Sequence, residues 1–324
     1  MKDEFIGKKI YVLGDSITQH GYYLYDLRSY FHGKNEKCYF FNRGVGGNTA
    51  LMCKEILGWE IGEHTPDYAF INFGINDMYI WLYNYTVEET LDLIEQRRKQ
   101  DEEYFYSMAM IVKWLQGKGI EPVIVTPPAV NEYIDESQRI QTLGDSAEKR
   151  KYIQNSLYTT KSFKKINEHL KYYADKMKIY AKEKGVMLLD LFADTYASMQ
   201  KEKGVGLFNA DGIHRTLKGH TDISKSLLNF LGCEDIPERF KRSAENDAIF
   251  DLEQIERSTI YLPCNACNPS FGEFKLVDIE NHAKKLLADK ETPNWLACSA
   301  TCFLEKRNDV KQMRTELEQL TFQF

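Results

Sequence analysis

The stretch that decides the fold is KKIYVLGDSITQH, residues 8–20, where a short apolar run rich in β-forming residues ends in Gly-Asp-Ser. Four later runs have the same form and are bounded by glycine, proline or aspartate: KCYFFNRG (37–44), DYAFINFG (67–74), EPVIVTPP (121–128) and GVMLLDLF (185–192). Each run predicts a buried strand. Because longer segments of helical period separate them, the sequence predicts an α/β protein with a five-stranded parallel sheet covered by helices on both faces.

One helix is well marked, over SFKKINEHLKYYADKMKIYAKEKG, residues 162–185. Its apolar residues recur three and four positions apart, which places them on one helical face: Phe163, Ile166, Leu170, Tyr173, Met177 and Tyr180. Ser162 is predicted to cap the start of this helix and Gly185 its end. The last strand, Gly185–Phe192, is expected to follow directly.

The length of the chain indicates one large domain with an addition. The chain has 324 residues, whereas α/β domains of about 200–250 residues are common. The alternation of strands and helices ends near Gly232, and a polar, weakly periodic segment at about 131–160 indicates an insertion. We therefore predict a first domain over residues 1–232 and a mostly helical C-terminal extension of unassigned function over residues 233–324.

Composition and charge restrict the classes of molecule that the protein is expected to bind. Hydrophobic residues make up 43% and charged residues 28%, as in globular proteins. The net charge of -6 and the lack of a long basic run give no footprint for nucleic acid or an anionic membrane. The N-terminal sequence shows no signal-peptide pattern, and no apolar stretch is long enough to insert into a membrane. We expect a cytoplasmic protein without a nucleic-acid partner and without membrane insertion, with homo-oligomer formation left open.

Ser16 follows the first predicted strand and is the first candidate for chemistry. Ligands of open parallel sheets bind beyond the carboxyl ends of the strands, so a nucleophilic serine is well placed here. The alternative is an ordinary helix N-cap, a role that serine often has. A second LGDS, at residues 143–146, follows the polar segment RIQT rather than a strand. We interpret Ser146 as a helix cap and the repeat as coincidence.

Two further motifs follow the second and third strands. In NRGVGGNTA, residues 42–50, the glycines allow the backbone to approach a ligand, and the Gly47 N–H is a candidate donor to an oxyanion. Asn48 is predicted to cap the next helix. In FGINDM, residues 73–78, the Asn76 amide is a second candidate donor. Either motif on its own is also typical of an ordinary turn.

A fourth motif, FNADGIHRTLKGH, residues 208–220, comes late in the chain, just beyond the fifth predicted strand. It holds Asp211 and His214 three residues apart, which is close enough for an acid and a base to form a hydrogen bond. An Asp-x-x-His pair can also bind a metal, but no second cluster with ligand spacing accompanies it. His220 is interpreted as structural.

Taken in order, GDSIT, GVGGNT, GIND and DGIH resemble the four blocks of the SGNH hydrolases, also called GDSL-like lipases and esterases. The resemblance implies a flavodoxin-like, three-layer α/β/α fold that hydrolyses esters without a cofactor. It implies Ser16 as nucleophile, His214 as general base and acid, and Asp211 as the orienting carboxylate. The oxyanion hole would comprise the N–H groups of Ser16 and Gly47 and the Asn76 side chain. Arg215 departs from the family, which often has proline there.

The resemblance implies a small-molecule or carbohydrate ester as substrate, and it favours a short acyl group, acetate above all, with a sugar as the first choice of alcohol. The blocks GGNT and DGIH look more like those of the carbohydrate-esterase and small acyl-esterase branches than those of secreted plant lipases. Tyr79, Trp81 and Tyr83 directly follow the Asn76 motif and are candidates for stacking against a sugar. The alternative is that these aromatic side chains pack onto the core.

Three other interpretations stay open. An acyltransferase can use the same triad, and a non-catalytic binding protein can use the C-terminal extension. A flavin or nucleotide protein would need a phosphate loop where Asp15 stands.

Cysteines also occur in two late pairs, Cys264 with Cys267 and Cys298 with Cys302. Four thiolates can hold a structural zinc ion, but the apolar neighbours favour core packing.

Overall fold

The computed structural model describes residues 1–241, except residues 33, 62–64, 79–90, 135–159 and 210. The chain divides into the units Met1–Phe240 and Lys241–Phe324, and the fold described here is that of the first. The predicted C-terminal extension lies outside the described residues from residue 242 onward, and so does most of the predicted insertion.

The five predicted strands all form one sheet. They are β1 (Lys9–Gly14), β2 (Tyr39–Gly44), β3 (Tyr68–Asn72), β4 (Glu121–Val125) and β5 (Met187–Leu189). The sheet order is β2-β1-β3-β4-β5, and every pair of neighbours is parallel. The fifth strand is shorter than predicted, because the Asp190 side chain accepts a hydrogen bond from the Ala193 N–H and starts a helix.

Seven α-helices occur in the described residues: α1 (Ser16–His20), α2 (Tyr22–Phe31), α3 (Ala50–Ile61), α4 (Leu91–Gly117), α5 (Thr160–Lys184), α6 (Leu191–Glu202) and α7 (Leu217–Phe230). Short 3-10 helices occur at Asp3–Phe5 and Asn76–Met78. The well-marked helix is α5. Its predicted end before Gly185 is right, but Ser162 lies inside the first turn, so the predicted cap is wrong.

The helices form two layers around the sheet. The chain moves from β1 to β2 in one direction along the sheet and from β2 through β5 in the other. Since crossovers between parallel strands are right-handed, this reversal puts helices on both faces. Helices α2 and α7 pack against each other, as do α3 and α4. The stacked rings of Tyr104 and Tyr173, 4.1 Å apart, join α4 to α5. The predicted three-layer α/β/α fold is confirmed.

The sheet lies at the centre of the hydrophobic core. All five residues of β3 are buried, as are all residues of β1 after Lys9. Buried strands of this kind need cover on both faces, which explains their near-continuous apolar sequence. Among the described residues, no helix has the length and apolar character needed to cross a bilayer.

Candidate active site

The carboxyl ends of β1, β2 and β3 lie level at one edge of the sheet. Gly14 at the end of β1 is in register with Gly44 of β2 on one side and with Asn72 of β3 on the other. Helix α1 starts at Ser16, two residues after β1. Asp15 is its N-cap, and its carboxylate accepts the Ile17 N–H at 2.9 Å. The Ser16 hydroxyl is therefore not occupied in capping the helix.

The structure brings Ser16, His214 and Asp211 together in one chain of hydrogen bonds. Ser16 Oγ lies 2.8 Å from His214 Nε2, and His214 Nδ1 lies 2.6 Å from Asp211 Oδ2. The other carboxylate oxygen of Asp211 accepts the backbone N–H groups of Ile213 and His214, at 2.8 and 2.9 Å. Both carboxylate oxygens are thus engaged, which fixes the orientation of Asp211 toward the imidazole.

The loop that carries Asp211 and His214 follows a helix rather than the fifth strand, which differs from the prediction. It does not follow β5 directly, because α6 intervenes, and the loop spans residues 203–216 between α6 and α7. Within the loop the Asn209 N–H donates to the His214 carbonyl at 2.8 Å. The segment after β4 holds it from outside, since the Asn131 N–H donates to the Gly212 carbonyl at 2.9 Å. These bonds keep the imidazole at the sheet edge.

The glycine loop after β2 presents backbone N–H groups near Ser16. The Val45 N–H donates to the Gly14 carbonyl at 3.0 Å, which ties this loop to the end of β1. Gly47 has a φ of 74°, a conformation that favours glycine. Among the described residues, the N–H groups of Ser16 and Gly47 donate to no acceptor. Both are available to a ligand.

Asn76 lies beside the same loop, in the 3-10 helix that follows β3. Its side-chain amide donates to the Asn48 carbonyl at 3.0 Å. An amide nitrogen carries two hydrogens, and the described residues use only this one. Asn76 is therefore held against the loop that contains Gly47 while keeping a donor to offer.

Charges within the site shift the pKa values of the imidazole and its partner. Burial lowers the pKa of His214, but the hydrogen bond from its ring to Asp211 and the charges of Asp211 and Asp15 outweigh burial and raise it overall. Burial raises the pKa of Asp211, but the His214 hydrogen bond and charge, with two backbone N–H groups, lower it overall. Asp211 thus stays ionised and stabilises a protonated His214.

Asp77 is a buried site residue that the sequence analysis missed. One of its carboxylate oxygens accepts the Ala50 N–H at 2.8 Å, at the start of α3. Thr49 accepts the Met52 N–H at 3.1 Å, so Asp77 and Thr49 cap this helix, and the predicted capping role of Asn48 is wrong. Burial raises the pKa of Asp77 to about 7 and that of Asp15 to about 6. Both aspartates belong to sequence blocks that were already recognised, Asp15 to GDSIT and Asp77 to GIND, and this was the signal that could have identified them.

His20 was also missed. Its ring centre lies 5.3 Å from that of His214, with the ring planes tilted by 49°. Its position four residues after Ser16 was a usable signal once α1 was recognised as helical, because residues four apart share a helix face.

Other predicted site residues lie outside the described residues. These are Tyr79, Trp81, Tyr83, Ser146 and the cysteines Cys264, Cys267, Cys298 and Cys302. Within the described residues, no group of three or more His, Cys, Asp or Glu side chains is arranged to hold a metal ion.

Comparison of the sequence with models of protein families identifies the family of this chain. The model of the GDSL-like lipase/acylhydrolase family matches residues 12–221. The chain belongs to this family. Membership confirms the resemblance drawn from the four sequence blocks, and it makes the protein an enzyme of the class that hydrolyses carboxylic esters. A search of curated protein sequences found no match.

A search of solved structures found chains similar to this GDSL-family protein, and the first of them, BT4096, shares its fold. BT4096, described as a gut microbial diltiazem-metabolizing enzyme, is 23% identical with a TM-score of 0.55, and the match covers 70% of this chain but only 47% of BT4096. Axe2, an acetylxylan esterase from Geobacillus stearothermophilus, is 18% identical with a TM-score of 0.47, covering 72% of this chain and all of Axe2 (100%). LAE5, an alpha/beta hydrolase enzyme from the Lake Arreo metagenome, is 19% identical with a TM-score of 0.47, covering 71% and 98%.

Proposed function

We propose that this GDSL-family protein is a serine esterase that removes short acyl groups, acetate above all, from carbohydrate esters. The observation that carries the proposal is the hydrogen-bonded chain from Ser16 Oγ through His214 to Asp211, with distances of 2.8 and 2.6 Å. A hydroxyl, a base and an orienting carboxylate in this order form the arrangement that activates a serine nucleophile.

In the proposed reaction Ser16 Oγ attacks the ester carbonyl carbon while its proton moves to His214 Nε2. The carbonyl π-electrons move to oxygen, and the resulting oxyanion accepts hydrogen bonds from the N–H groups of Ser16 and Gly47 and from the Asn76 amide. His214 then gives the proton to the alcohol oxygen as the bond from carbon to that oxygen breaks. Water, deprotonated by His214, hydrolyses the acyl-serine and restores Ser16.

The ionisation of the pair suits these steps. Because the pKa of Asp211 is lowered, its carboxylate stays charged while His214 accepts the proton. Because the pKa of His214 is raised, the imidazolium is stabilised once formed. Histidine is the side chain most often used to accept and return a proton in this way, and the raised pKa helps His214 to hold the proton between the two transfers.

The proposed substrate class is based on two of the sequence blocks and on the residues that follow a third. GGNT at residues 46–49 and DGIH at residues 211–214 resemble those of carbohydrate and small acyl esterases. The aromatic residues Tyr79, Trp81 and Tyr83 directly follow the motif FGINDM that contains Asn76, and aromatic rings are surfaces on which sugars stack. These features support a short acyl group and a sugar alcohol.

The test is hydrolysis of p-nitrophenyl acetate, butyrate and octanoate by the wild type, Ser16→Ala and Ser146→Ala. Ser146 is the matched control because it occurs in the second LGDS sequence. We expect activity to be highest on acetate, to be lost in Ser16→Ala and to be retained in Ser146→Ala. Equal activity in all three proteins would contradict the serine mechanism, and a preference for octanoate would contradict the short acyl group.

A further inference from the structure

His20 lies on the same face of α1 as Ser16. The helix spans Ser16–His20, and residues four apart in an α-helix are neighbours on one face. His20 as a residue is exposed to solvent, its ring is partly desolvated by the groups around it, and the ring centre lies 5.3 Å from that of His214. The helix that carries the nucleophile therefore also carries a second imidazole, accessible from solvent and adjacent to the proposed base.

Gln19, the residue before His20, is a second polar residue at the C-terminal end of α1. Its Oε1 lies 2.6 Å from the point where a Cβ would stand on Gly46, so the side chain rests against the glycine loop. The last turn of α1 thus contacts the glycine loop through Gln19 and the His214 ring through His20. Two side chains with hydrogen-bonding groups, Gln19 and His20, therefore lie at this end of the helix that carries Ser16.

The chemistry fixes which part of the ester lies near His20. In the proposed reaction, His214 passes its proton to the alcohol oxygen, so the alcohol part lies beside the imidazole of His214. We infer that His20 is a specificity-determining residue that hydrogen-bonds a hydroxyl of the alcohol part, so that the enzyme favours acyl esters of polyhydroxylated alcohols such as sugars. This inference rests on the proposed function.

The charge state of His20 suits a hydroxyl partner. Burial and the nearby charge of His214 both lower the pKa of His20, so the ring is neutral at neutral pH. A neutral imidazole has one donor and one acceptor nitrogen, which matches the donor and acceptor capacity of a hydroxyl. A neutral ring also avoids repelling the imidazolium that forms at His214.

The experiment compares two acetates of primary alcohols, 6-O-acetylglucose and ethyl acetate, of which only the first has free hydroxyls. We expect wild-type kcat/KM to be higher for 6-O-acetylglucose. His20→Ala should lower it roughly 3- to 10-fold, the loss of one neutral hydrogen bond, and leave ethyl acetate within about twofold. His20→Gln, which keeps a donor and an acceptor, should recover part of the loss. His32→Ala is the matched control, an exposed histidine at the far end of α2.

The following results would overturn the inference. Equal losses on both esters, or only a shifted pH profile, would mean that His20 acts through His214 rather than on the alcohol. No loss on either ester, or no wild-type preference for 6-O-acetylglucose, would remove the hydroxyl contact while leaving the esterase in place. The proposed function fails separately, through a Ser16→Ala protein that keeps full activity on both esters.

Discussion

At the scale of single residues, the site depends on how Asp211 divides its two carboxylate oxygens. One oxygen accepts the backbone N–H groups of Ile213 and His214, and the other meets the His214 ring at 2.6 Å. The backbone bonds fix the carboxylate, and the carboxylate fixes the ring. The ring is then set with its second nitrogen toward Ser16.

Asp211→Asn should separate the charge of this group from its shape. The charge and hydrogen bond of Asp211 raise the pKa of His214, so their loss should move the acid limb of kcat/KM to lower pH. We also expect kcat to fall about 10²- to 10⁴-fold, because the imidazolium loses its partner. The pH dependence of p-nitrophenyl acetate hydrolysis measures both. The exposed Asp194→Asn is the control, and an acid limb that stays in place would contradict the assignment.

Asn76→Ala tests the oxyanion donors. Removal of one donor typically costs about 10²- to 10³-fold in kcat. We expect this loss with little change in KM, because the donor acts on a charge that develops only in the transition state. Steady-state kinetics on p-nitrophenyl acetate measures it, with thermal unfolding to verify the fold. The exposed Asn229→Ala, on α7, is the matched control. A loss confined to KM would show that Asn76 binds the ground state instead.

At the scale of elements, the contact between β2 and α1 positions Ser16. Gly44 ends β2, and a Cβ built there would lie 2.2 Å from the Gln19 nitrogen and 2.5 Å from the Thr18 carbonyl carbon. These are backbone atoms of α1, so a side chain at this position can be accommodated only if the helix moves. The glycine allows the close approach that places α1 at the sheet edge.

Gly44→Ala should therefore destabilise the protein by roughly 1–3 kcal/mol, as overpacking does, and lower kcat by displacing α1. Urea unfolding and ester hydrolysis measure the two effects. Gly58→Ala is the matched control, because its added Cβ would meet only Trp114 at an ordinary 3.8 Å. It lies within α3, where alanine is preferred over glycine by roughly 0.5–1 kcal/mol. Equal stability of the two variants would contradict the close contact.

Element types were predictable from sequence where one signal dominated. The five buried strands are short apolar runs between turn residues, and all five occur in the sheet. Helix α6 was missed because its first residues, Leu191 and Phe192, extend the apolar run of β5. Only the capping hydrogen bond of Asp190 separates the two elements, and apolar periodicity carries no information about it.

The candidate site was predictable to the extent that its residues share a motif. Ser16, His214 and Asp211 occur in recognisable blocks, and the structure brings them together. Asp77 occurs in a block too, but its role depends on burial and on the Ala50 N–H, which come from tertiary packing. His20 belongs to no block, and its importance is visible only when the His214 ring lies beside it.

At the scale of the whole molecule, buried ionisable groups near the site couple stability to pH. Burial raises the pKa of Asp15 to about 6 and of Asp77 to about 7, and lowers the pKa of His220 to about 3. A raised pKa means that the folded state keeps a proton that the unfolded state loses, so stability falls as pH rises between the ordinary and raised values. His220 acts in the opposite direction, since only the unfolded state binds its proton between about pH 3 and 6.5.

Asp77→Asn isolates one of these opposing contributions. The asparagine oxygen can still accept the Ala50 N–H but cannot ionise, so the variant avoids burying a charge. The variant should gain stability relative to the wild type as pH rises from about 4 to 7, by about 1.4 kcal/mol per pH unit at most, with a constant difference above pH 7. Urea unfolding of both proteins across this range measures the difference, in which shared groups such as His220 cancel. Asp194→Asn, at an exposed position, should show no such trend. A difference that is independent of pH would mean that Asp77 ionises in the folded protein as it does in the unfolded chain.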